Sequence, residues 1–246
     1  MVRTWLWVVK QGVLVLGAVL TYFGVRGITE GSVDVAVQHA LDIVAWEKSL
    51  GIYVEKAMAE PFASSAFLAT LANWVYIWGH WPVIAATMLW TGIWHRSIFL
   101  RLRNAMVVSG ALGMTIFVTY PVAPPRLAGL GFVDTVSDRS LSYRVLQPPA
   151  FVDQYAAMPS LHAGWDLLVG IAIVSAGSAL AVRVLGFVLP ALMAVSVVVT
   201  ANHFILDVVA GVILVLLGHL AALALERRRN RRAASAAPEP GVPVEL

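Results

Sequence analysis

The sequence contains no cysteine and few charged side chains. Without cysteine, disulfides, thiolate metal sites and cysteine nucleophiles are all excluded. Charged residues make up 13% of the 246 residues, about half of the roughly 25% that is typical of a soluble domain. The formal net charge is only +3, whereas nucleic-acid-binding domains carry a pronounced basic patch. The chain is therefore not a water-soluble globule, and we expect no nucleic-acid partner.

Apolar residues dominate instead, at 59% of the chain and with a mean hydropathy of +0.80. Six apolar runs are about long enough to cross a bilayer, which takes about 20 residues. These runs cover residues 5–25, 62–94, 105–120, 161–180, 184–200 and 204–225. We count the second run as one crossing with a bend near Pro82, because proline disrupts the helical hydrogen-bond ladder. The sequence predicts an all-α, polytopic membrane bundle with about six transmembrane helices.

The distribution of cations predicts the orientation of this bundle, since lysine and arginine collect on cytoplasmic flanks. When both termini are placed inside, 11 of the 17 cations fall on the cytoplasmic side. No small-residue cleavage site follows the first run, so we expect it to be retained as a span rather than removed as a signal peptide. The predicted location is the cell membrane, with both termini cytoplasmic.

The chain divides into three regions. Residues 1–60 hold the first span and an amphipathic extracytoplasmic segment, residues 61–226 form the membrane core, and residues 227–246 form a basic cytoplasmic tail that is disordered from residue 233. In the amphipathic segment apolar residues recur at helical spacing, namely Val33, Val37, Leu41 and Val44. We expect this helix to lie on the bilayer surface, to act as a small lid or to pack at an interface.

Two aspartates lie inside predicted spans, where each costs about 2.5–3.5 kcal/mol and marks function by default. Asp166 follows His162 by four residues, and Asp207 follows His203 by four residues. This spacing puts both members of a pair on one helical face, where the carboxylate can accept the imidazole N–H and fix the tautomer. Both histidines begin spans that descend from the same outer surface, so we expect them at similar depth. Such a pair suits a nucleophile and a general acid.

The residues around these histidines predict a phosphate ligand. Ser160 and the neighbouring backbone amides open a predicted helix, where an anion is favoured. Arg126 supplies a forked cation that matches phosphate oxygens, and Arg139 and Arg144 lie in the same loop. A metal held by the two histidines and two aspartates is the weaker alternative, because an arginine and helix-start amides both prefer anions. We therefore expect no metal and no cofactor.

Three motifs carry a resemblance to a known family. They are Pro121-Val-Ala-Pro-Pro-Arg126, Pro159-Ser-Leu-His162 and His203-x-x-x-Asp207. In this order and at span ends they resemble the type 2 phosphatidic acid phosphatase (PAP2) superfamily, over roughly residues 104–211. The proline-rich arginine motif and the leucine before His162 resemble most closely its inositol-phosphotransferase branch, which includes inositol phosphorylceramide synthases.

The resemblance implies roles for individual residues in a metal-independent helical bundle. His203 matches the nucleophile that forms a phosphohistidine, and Asp207 matches the carboxylate that orients it. His162 matches the general acid for the leaving oxygen, while Arg126 and Ser160 match the phosphate cradle. For Asp166 the family pattern fixes no role. Support of His162, binding of a substrate head group and a bond to another span all stay open.

The chain departs from the family pattern at two cationic positions. Thr119 stands where a lysine is expected, and Val197 stands where an arginine is expected. Arg139 and Arg144 are the obvious substitutes for these missing phosphate ligands. Without a substitute a dianionic phosphate would bind weakly, which favours a monoanionic diester.

The expected function is that of a lipid-phosphate phosphatase or phosphotransferase with an extracytoplasmic active site. An inositol-phosphate head-group transferase is the alternative enzyme, and a non-catalytic lipid-binding or transport protein is the alternative of another class. The expected partners are membrane lipids and a lipid phosphate, diphosphate or phosphodiester substrate, with homo-oligomerisation left open. The remaining histidines are interpreted as interfacial or hydrogen-bonding residues; they are His39, His80, His95 and His219.

Overall fold

The structure is a computed structural model that describes residues 6, 7, 9–17, 20, 24, 32–136 and 154–235. Residues 9–17 are helical, and eight further helices follow. These are α1 (Val33–Ser49), α2 (Glu55–Ser64), α3 (Ala66–Trp78), α4 (Trp81–Trp94), α5 (Arg96–Thr119), α6 (Leu161–Ala176), α7 (Leu180–Val199) and α8 (Ile205–Ser235). The described residues form no β-strand, only one isolated bridge between Val122 and Ala156. The all-α prediction is confirmed.

Among the described residues, three helices, α5, α7 and α8, are long and apolar enough to cross a membrane. Two shorter helices, α3 and α6, are also apolar. The fold is thus a helical membrane bundle, as predicted, while the number of six crossings stays a prediction.

The predicted run at 62–94 is not one bent helix. It begins inside α2, and Ser65 then caps α3 by accepting a hydrogen bond from the Leu68 amide at 3.4 Å. The break before α4 falls at Gly79 and His80, as predicted, and Pro82 occupies the first turn of α4, where its missing N–H costs nothing. Capping residues, which hydropathy does not register, divide this run.

Two helices extend beyond their predicted ends. α5 begins at Arg96 and includes the charged residues ahead of the apolar run, and α8 continues to Ser235. Disorder from residue 233 is therefore wrong for residues 233–235, and residues 236–246 lie outside the described residues. Arginine has a high helix propensity, and cations are favourable near a helix C-terminus. The ion pair of Arg101 and Glu226, at 2.9 Å, joins the two helices in this region.

The first turns of α6 and α8 lie in direct contact. A Cβ atom at Gly211 would overlap the Ser160 carbonyl, and one at Gly164 would lie 2.6 Å from the Val215 side chain. Small residues allow such close approach between membrane helices. Because residue 160 lies beside 211 and residue 164 beside 215, the two helices run in the same direction. The expectation that they begin on the same side is confirmed.

The buried face of α1 differs from the predicted one. Val33 and Leu41 are exposed, and the buried residues are Ala36, Ala40, Ile43, Val44 and Glu47. Alanine gives a weak hydropathy signal, but its small side chain lets α1 approach the segment after α5. There the Ala123 amide donates to the Ala36 carbonyl at 3.0 Å, and His39 Nδ1 donates to the Pro121 carbonyl at 2.7 Å. Of the three interpretations of this helix, the contacts favour packing at an interface.

Candidate active site

A short turn between α7 and α8 carries His203. Main-chain bonds hold this turn, because the Val197 carbonyl accepts from the amides of Asn202 and His203 at 3.1 Å and 3.0 Å. Ala201 has a φ of 55°, a left-handed conformation that is uncommon for a residue with a side chain. Strained backbone of this kind persists where surrounding contacts hold it, often at functional sites.

His203 is 95% buried, and its imidazole is held in one orientation. Its Nδ1 donates to the Ala157 carbonyl at 2.7 Å, and Asp207 Oδ2 lies 3.6 Å from the same nitrogen. A carbonyl can only accept, so Nδ1 carries the proton and the Nε2 lone pair is left for a ligand. The sequence predicted that Asp207 alone fixes the tautomer of His203. In the structure the Ala157 carbonyl makes the closer contact and fixes it.

His162 lies on the first turn of α6 and faces His203. The centres of the two imidazole rings are 6.1 Å apart, close enough for both to contact one phosphoryl group. The His162 ring also stacks on Tyr76, with 4.8 Å between ring centres, and lies 4.3 Å from the His80 ring at a tilt of 35°. The structure thus brings together the two histidines that the motifs indicated.

Asp166 hydrogen-bonds to His80, which lies at the break between α3 and α4. Its Oδ1 accepts from Nδ1 of His80 at 2.7 Å, and both side chains are buried. Of the three roles left open for Asp166, a bond to another span is the one observed. His80 was interpreted as an interfacial or hydrogen-bonding residue, and the hydrogen-bonding alternative is the one observed. Its position in a helix break between two apolar segments was the available signal, because a buried polar group needs a partner.

Four aromatic side chains, one of which is His162, form a column. Tyr76 stacks on His162, and His80 follows His162 with the two rings tilted by 35°. The indole of Trp165 lies parallel to His80 with 6.2 Å between ring centres. The Trp165 Nε1–H donates to Ser109 Oγ at 3.2 Å. This column fixes the ring of His162 through packing against α3, α4 and α6.

Arg126 lies beside the His203 turn. Its backbone amide donates to the Ala201 carbonyl at 3.1 Å, and its Nε donates to Asn202 Oδ1 at 3.0 Å. One terminal nitrogen pairs with Asp134 Oδ2 at 2.9 Å. The motif therefore placed the arginine next to the histidine turn, but it gave no sign of Asp134. Asn202, the neighbour of His203, was also missed, although its polar side chain ahead of an apolar run was visible in the sequence.

Ser160 is fully buried and serves the helix start. Its amide donates to the Asp207 carbonyl at 2.9 Å, and its Oγ accepts from the Ala163 amide at 3.4 Å. The prediction that the Ser160 amide faces an anion is wrong, because α8 already uses it. The hydroxyl proton of Ser160 and the next amides of the first turn are the donors that α6 can still offer a ligand.

The two positions that depart from the family pattern have structural roles. Thr119 is exposed, and its hydroxyl donates to the Thr115 carbonyl of its own helix at 2.8 Å. Val197 is fully buried in an apolar cluster with Met193 and Val198. The expected substitutes, Arg139 and Arg144, lie outside the described residues. Within residues 32–136 and 154–235, no group of three or more histidine and acidic side chains has a geometry that could hold a metal ion.

Comparison with known proteins gives one match. The family model of the PAP2 superfamily matches residues 41–221, well over half of the chain. This range includes His80, Arg126 and both facing histidines. No match was found among curated proteins or among solved structures. Because this match covers well over half of the chain, the chain belongs to the PAP2 superfamily.

Proposed function

We propose that the protein is a metal-independent membrane phosphatase or phosphotransferase that acts on a lipid phosphate, diphosphate or phosphodiester. Membership of the superfamily supports phosphoryl transfer as the reaction class. The single observation that carries the proposal is the 6.1 Å separation of the imidazoles of His162 and His203. Two imidazoles at this distance can attack a phosphorus atom and protonate its leaving oxygen within one site.

In the first step Nε2 of His203 attacks phosphorus and forms a P–N bond. The bond from phosphorus to the leaving oxygen breaks, and protonated His162 gives its proton to that oxygen. The contact of His203 Nδ1 with the Ala157 carbonyl supports this assignment, because it leaves Nε2 as the nucleophilic nitrogen.

In the second step water or an acceptor hydroxyl attacks the phosphohistidine. His162 takes the proton from the attacking oxygen, and the P–N bond breaks to restore His203. Hydrolysis and transfer use the same residues and differ only in the molecule that reaches the intermediate. A transferase of inositol-phosphate head groups is the form of this reaction that the sequence resemblance favours.

Arg126 would bind the phosphoryl oxygens in both steps. Fixed donors aimed at developing charge are the usual electrostatic means of lowering such a barrier. Among the described residues its second terminal nitrogen has no protein partner, whereas Nε and the first terminal nitrogen bind Asn202 and Asp134. The guanidinium is thus oriented by the protein and retains a donor for a ligand. Arg139 and Arg144 stay candidate phosphate ligands.

An apolar groove supports a lipid as the substrate. It has a volume of about 430 Å³ and lies between α6, α7 and α8. Its wall on α6 runs from Ala163, the neighbour of His162, to Ser175, a length of about 18 Å at 1.5 Å per residue. A hydrocarbon chain in this groove would have its phosphate end near the two histidines.

The charge distribution supports an extracytoplasmic site in the cell membrane. The arginine-rich end of α8 lies at the opposite end of that helix from Asp207, and arginine-rich flanks face the cytoplasm. Both termini would then be cytoplasmic. Lipid substrate would reach the histidines from the outer half of the bilayer.

Product analysis tests the proposal directly. The purified chain in detergent micelles is given phosphatidic acid, farnesyl diphosphate or phosphatidylinositol, each with and without glycerol. Free phosphate from the first two substrates, or inositol phosphate or phosphatidic acid from phosphatidylinositol, indicates hydrolysis. A new phosphorylated product that depends on glycerol indicates transfer. The His219→Ala variant, altered about three turns below Asp207 on α8, is the matched control and should give the same products. If neither product forms from any substrate, the enzymatic proposal fails and a non-catalytic lipid-binding protein takes its place.

A further inference from the structure

Three carboxyl groups from three helices meet at the start of α8. Glu47 comes from α1, Glu55 from α2 and Asp207 from α8 itself, and all three are fully buried. They accept the first amides of the helix, with Phe204 on Asp207 at 2.8 Å, Ile205 on Glu55 at 3.0 Å and Leu206 on Glu47 at 2.8 Å. A helix start leaves such amides without intrahelical partners. Here residues about 150 positions earlier in the chain satisfy two of them.

The second oxygen of each carboxyl has no hydrogen-bond donor. Among the described residues, Glu47 Oε2, Glu55 Oε2 and Asp207 Oδ1 are all buried without a partner. No lysine or arginine of the described residues forms an ion pair with Glu47 or Glu55. Buried charges are costly unless they are paired or protonated. Three ionised carboxylates side by side would therefore be unfavourable, and they would also repel a phosphate bound at His203.

One proton removes this conflict. The carboxyls of Glu47 and Glu55 bind the adjacent amides of Leu206 and Ile205 and contact each other, so a proton on one carboxyl can be donated to the other. Two carboxylates that share a site have one strongly raised pKa. Burial first, and then the contact with Glu55, raise the pKa of the Glu47 carboxyl to about 8. Glu47 lies on α1, outside the membrane-spanning helices.

The pair also determines where His203 lies. Phe204, Ile205 and Leu206 follow His203 directly, so the contacts of Glu47 and Glu55 hold the same turn of chain. Asp207 in turn keeps its Oδ2 near His203 Nδ1. If the two glutamates released the amides, two of the three bonds at this helix start would be lost.

We propose that Glu47 and Glu55 are positioning residues that share one proton and, in this singly ionised form, hold the first turn of α8 and thereby His203. The proposal deepens the phosphoryl-transfer function above and rests on it for its catalytic consequence. Its structural consequence, a stability that depends on one shared proton, can be measured without any activity.

The sign of the pH dependence follows from the raised pKa. The folded state holds the proton more tightly than the unfolded chain, for which the ordinary value is 4.5. Stability from this proton is complete below about 4.5 and is lost as pH rises to about 8. The titratable groups that face Glu47 are Glu55 from α2, Asp207 from α8 and Tyr53 from the turn between α1 and α2. None of these groups is a lysine or an arginine, so nothing in this set neutralises the charge that deprotonation of Glu47 creates.

Glutamine substitution at Glu47 keeps the shape and the hydrogen bonds of the side chain but removes its titratable proton. In Glu47→Gln the amide oxygen can still accept the Leu206 N–H, and the amide nitrogen can donate to Glu55 at every pH. We expect its kcat near neutral pH to stay within about threefold of wild type, a difference below 1 kcal/mol in barrier. Glu47→Ala should lower kcat by about tenfold or more with KM little changed, because it removes both the cap and the proton donor.

The full chain in detergent micelles is assayed with phosphatidic acid, and its thermal midpoint is measured from about pH 6 to about pH 9.5, a range that spans the raised pKa of Glu47. The wild-type midpoint and kcat should fall as pH rises to about 8. Glu47→Gln should show a much flatter midpoint profile, and its kcat should keep only the part of the fall that comes from loss of the His162 proton. Glu60→Gln, an exposed glutamate of α2, is the matched control and should follow wild type. A Glu47→Gln stability profile that coincides with wild type would overturn the shared proton.

The outcomes also separate this inference from the function above. If no substrate is turned over but the Glu47→Gln stability profile is flat, the carboxyl pair stands and the catalytic assignment fails. If activity is present and Glu47→Ala keeps wild-type kcat, the positioning role fails and the enzyme stands. Should Glu47→Ala not fold, the comparison of Glu47→Gln with wild type decides the positioning role through the pH profile of kcat.

Discussion

His203 keeps Asp207 close, with 3.6 Å between Nδ1 and Oδ2, whereas Asp166 hydrogen-bonds to His80 of another segment at 2.7 Å. Both aspartates follow a histidine by four residues. The difference arises from where each histidine lies relative to its helix. His162 is already inside the first turn of α6, while His203 precedes α8, which begins at Ile205.

A residue ahead of a helix can turn back toward the helix start, and a carboxylate in the first turn can reach it. The Asp207 carboxylate reaches His203 in this way. It also accepts the Phe204 amide at 2.8 Å, as a capping side chain does. Asp166 lies a full turn inside α6 and points to the break before α4 instead. An i, i+4 spacing therefore permits a pair and does not determine it, and the position of the helix start decides.

The largest effect is expected from His203→Ala. Loss of the nucleophile should lower kcat by at least about 1,000-fold, since isolated catalytic groups of this kind are worth that much or more. Phosphate release from phosphatidic acid measures kcat, and thermal unfolding checks that the fold is retained. His219→Ala serves as control. Activity within a few-fold of wild type would remove His203 from the mechanism.

Asparagine substitution at each aspartate should show that the two His-x-x-x-Asp motifs contribute differently to kcat. Asp207→Asn should lower kcat by about 100-fold, because the charge that stabilises the His203 imidazolium is lost, while the Ala157 carbonyl still holds the tautomer. Asp166→Asn should lower kcat by only about tenfold, because this carboxylate acts on His162 through His80. The ratio of the two kcat values measures how much more Asp207 contributes to catalysis than Asp166. Equal losses would mean that the two motifs are functionally equivalent despite their different contacts.

The smallest effect is expected from His80→Gln. Glutamine keeps an N–H donor for Asp166 but removes one ring from the column behind His162, so kcat should fall by about threefold. His80→Ala should be worse, because a buried carboxylate that loses its partner costs about 3–5 kcal/mol of stability. Thermal midpoints of the two variants provide the measurement. A lower midpoint for His80→Gln than for His80→Ala would contradict the hydrogen-bond role of His80.

The sequence predicted those parts of the site that depend on helix starts. His162 and His203 each begin an apolar run, and a single helix separates the two runs, so α6 and α8 had to begin on the same side. Arg126 was placed through its motif. The contact of His80 with Asp166 was not predictable in this way, since the two residues are 86 positions apart and no periodic pattern joins them.

The remaining errors share a physical cause. Predictions from hydropathy weigh each side chain alone, whereas α1 packs through the small residues Ala36 and Ala40, which matter by allowing close approach. No feature of the sequence distinguishes Glu47 and Glu55 from exposed glutamates, yet both are fully buried because the start of α8 offers them amide donors. The Ser160 amide was predicted to bind a ligand, because no feature of the sequence shows that the Asp207 carbonyl accepts from it.

The bond from His203 to the Ala157 carbonyl has a consequence for how this protein can be studied and how it can diverge. An acceptor on the main chain survives replacement of any side chain, so a scan of the site by substitution would leave it undetected. Within the limits set by its buried position, residue 157 can therefore vary among relatives while the imidazole keeps its proton in place. Replacement of the amide that follows Ala157 by an ester, which weakens that carbonyl as an acceptor, is the change that would reveal it.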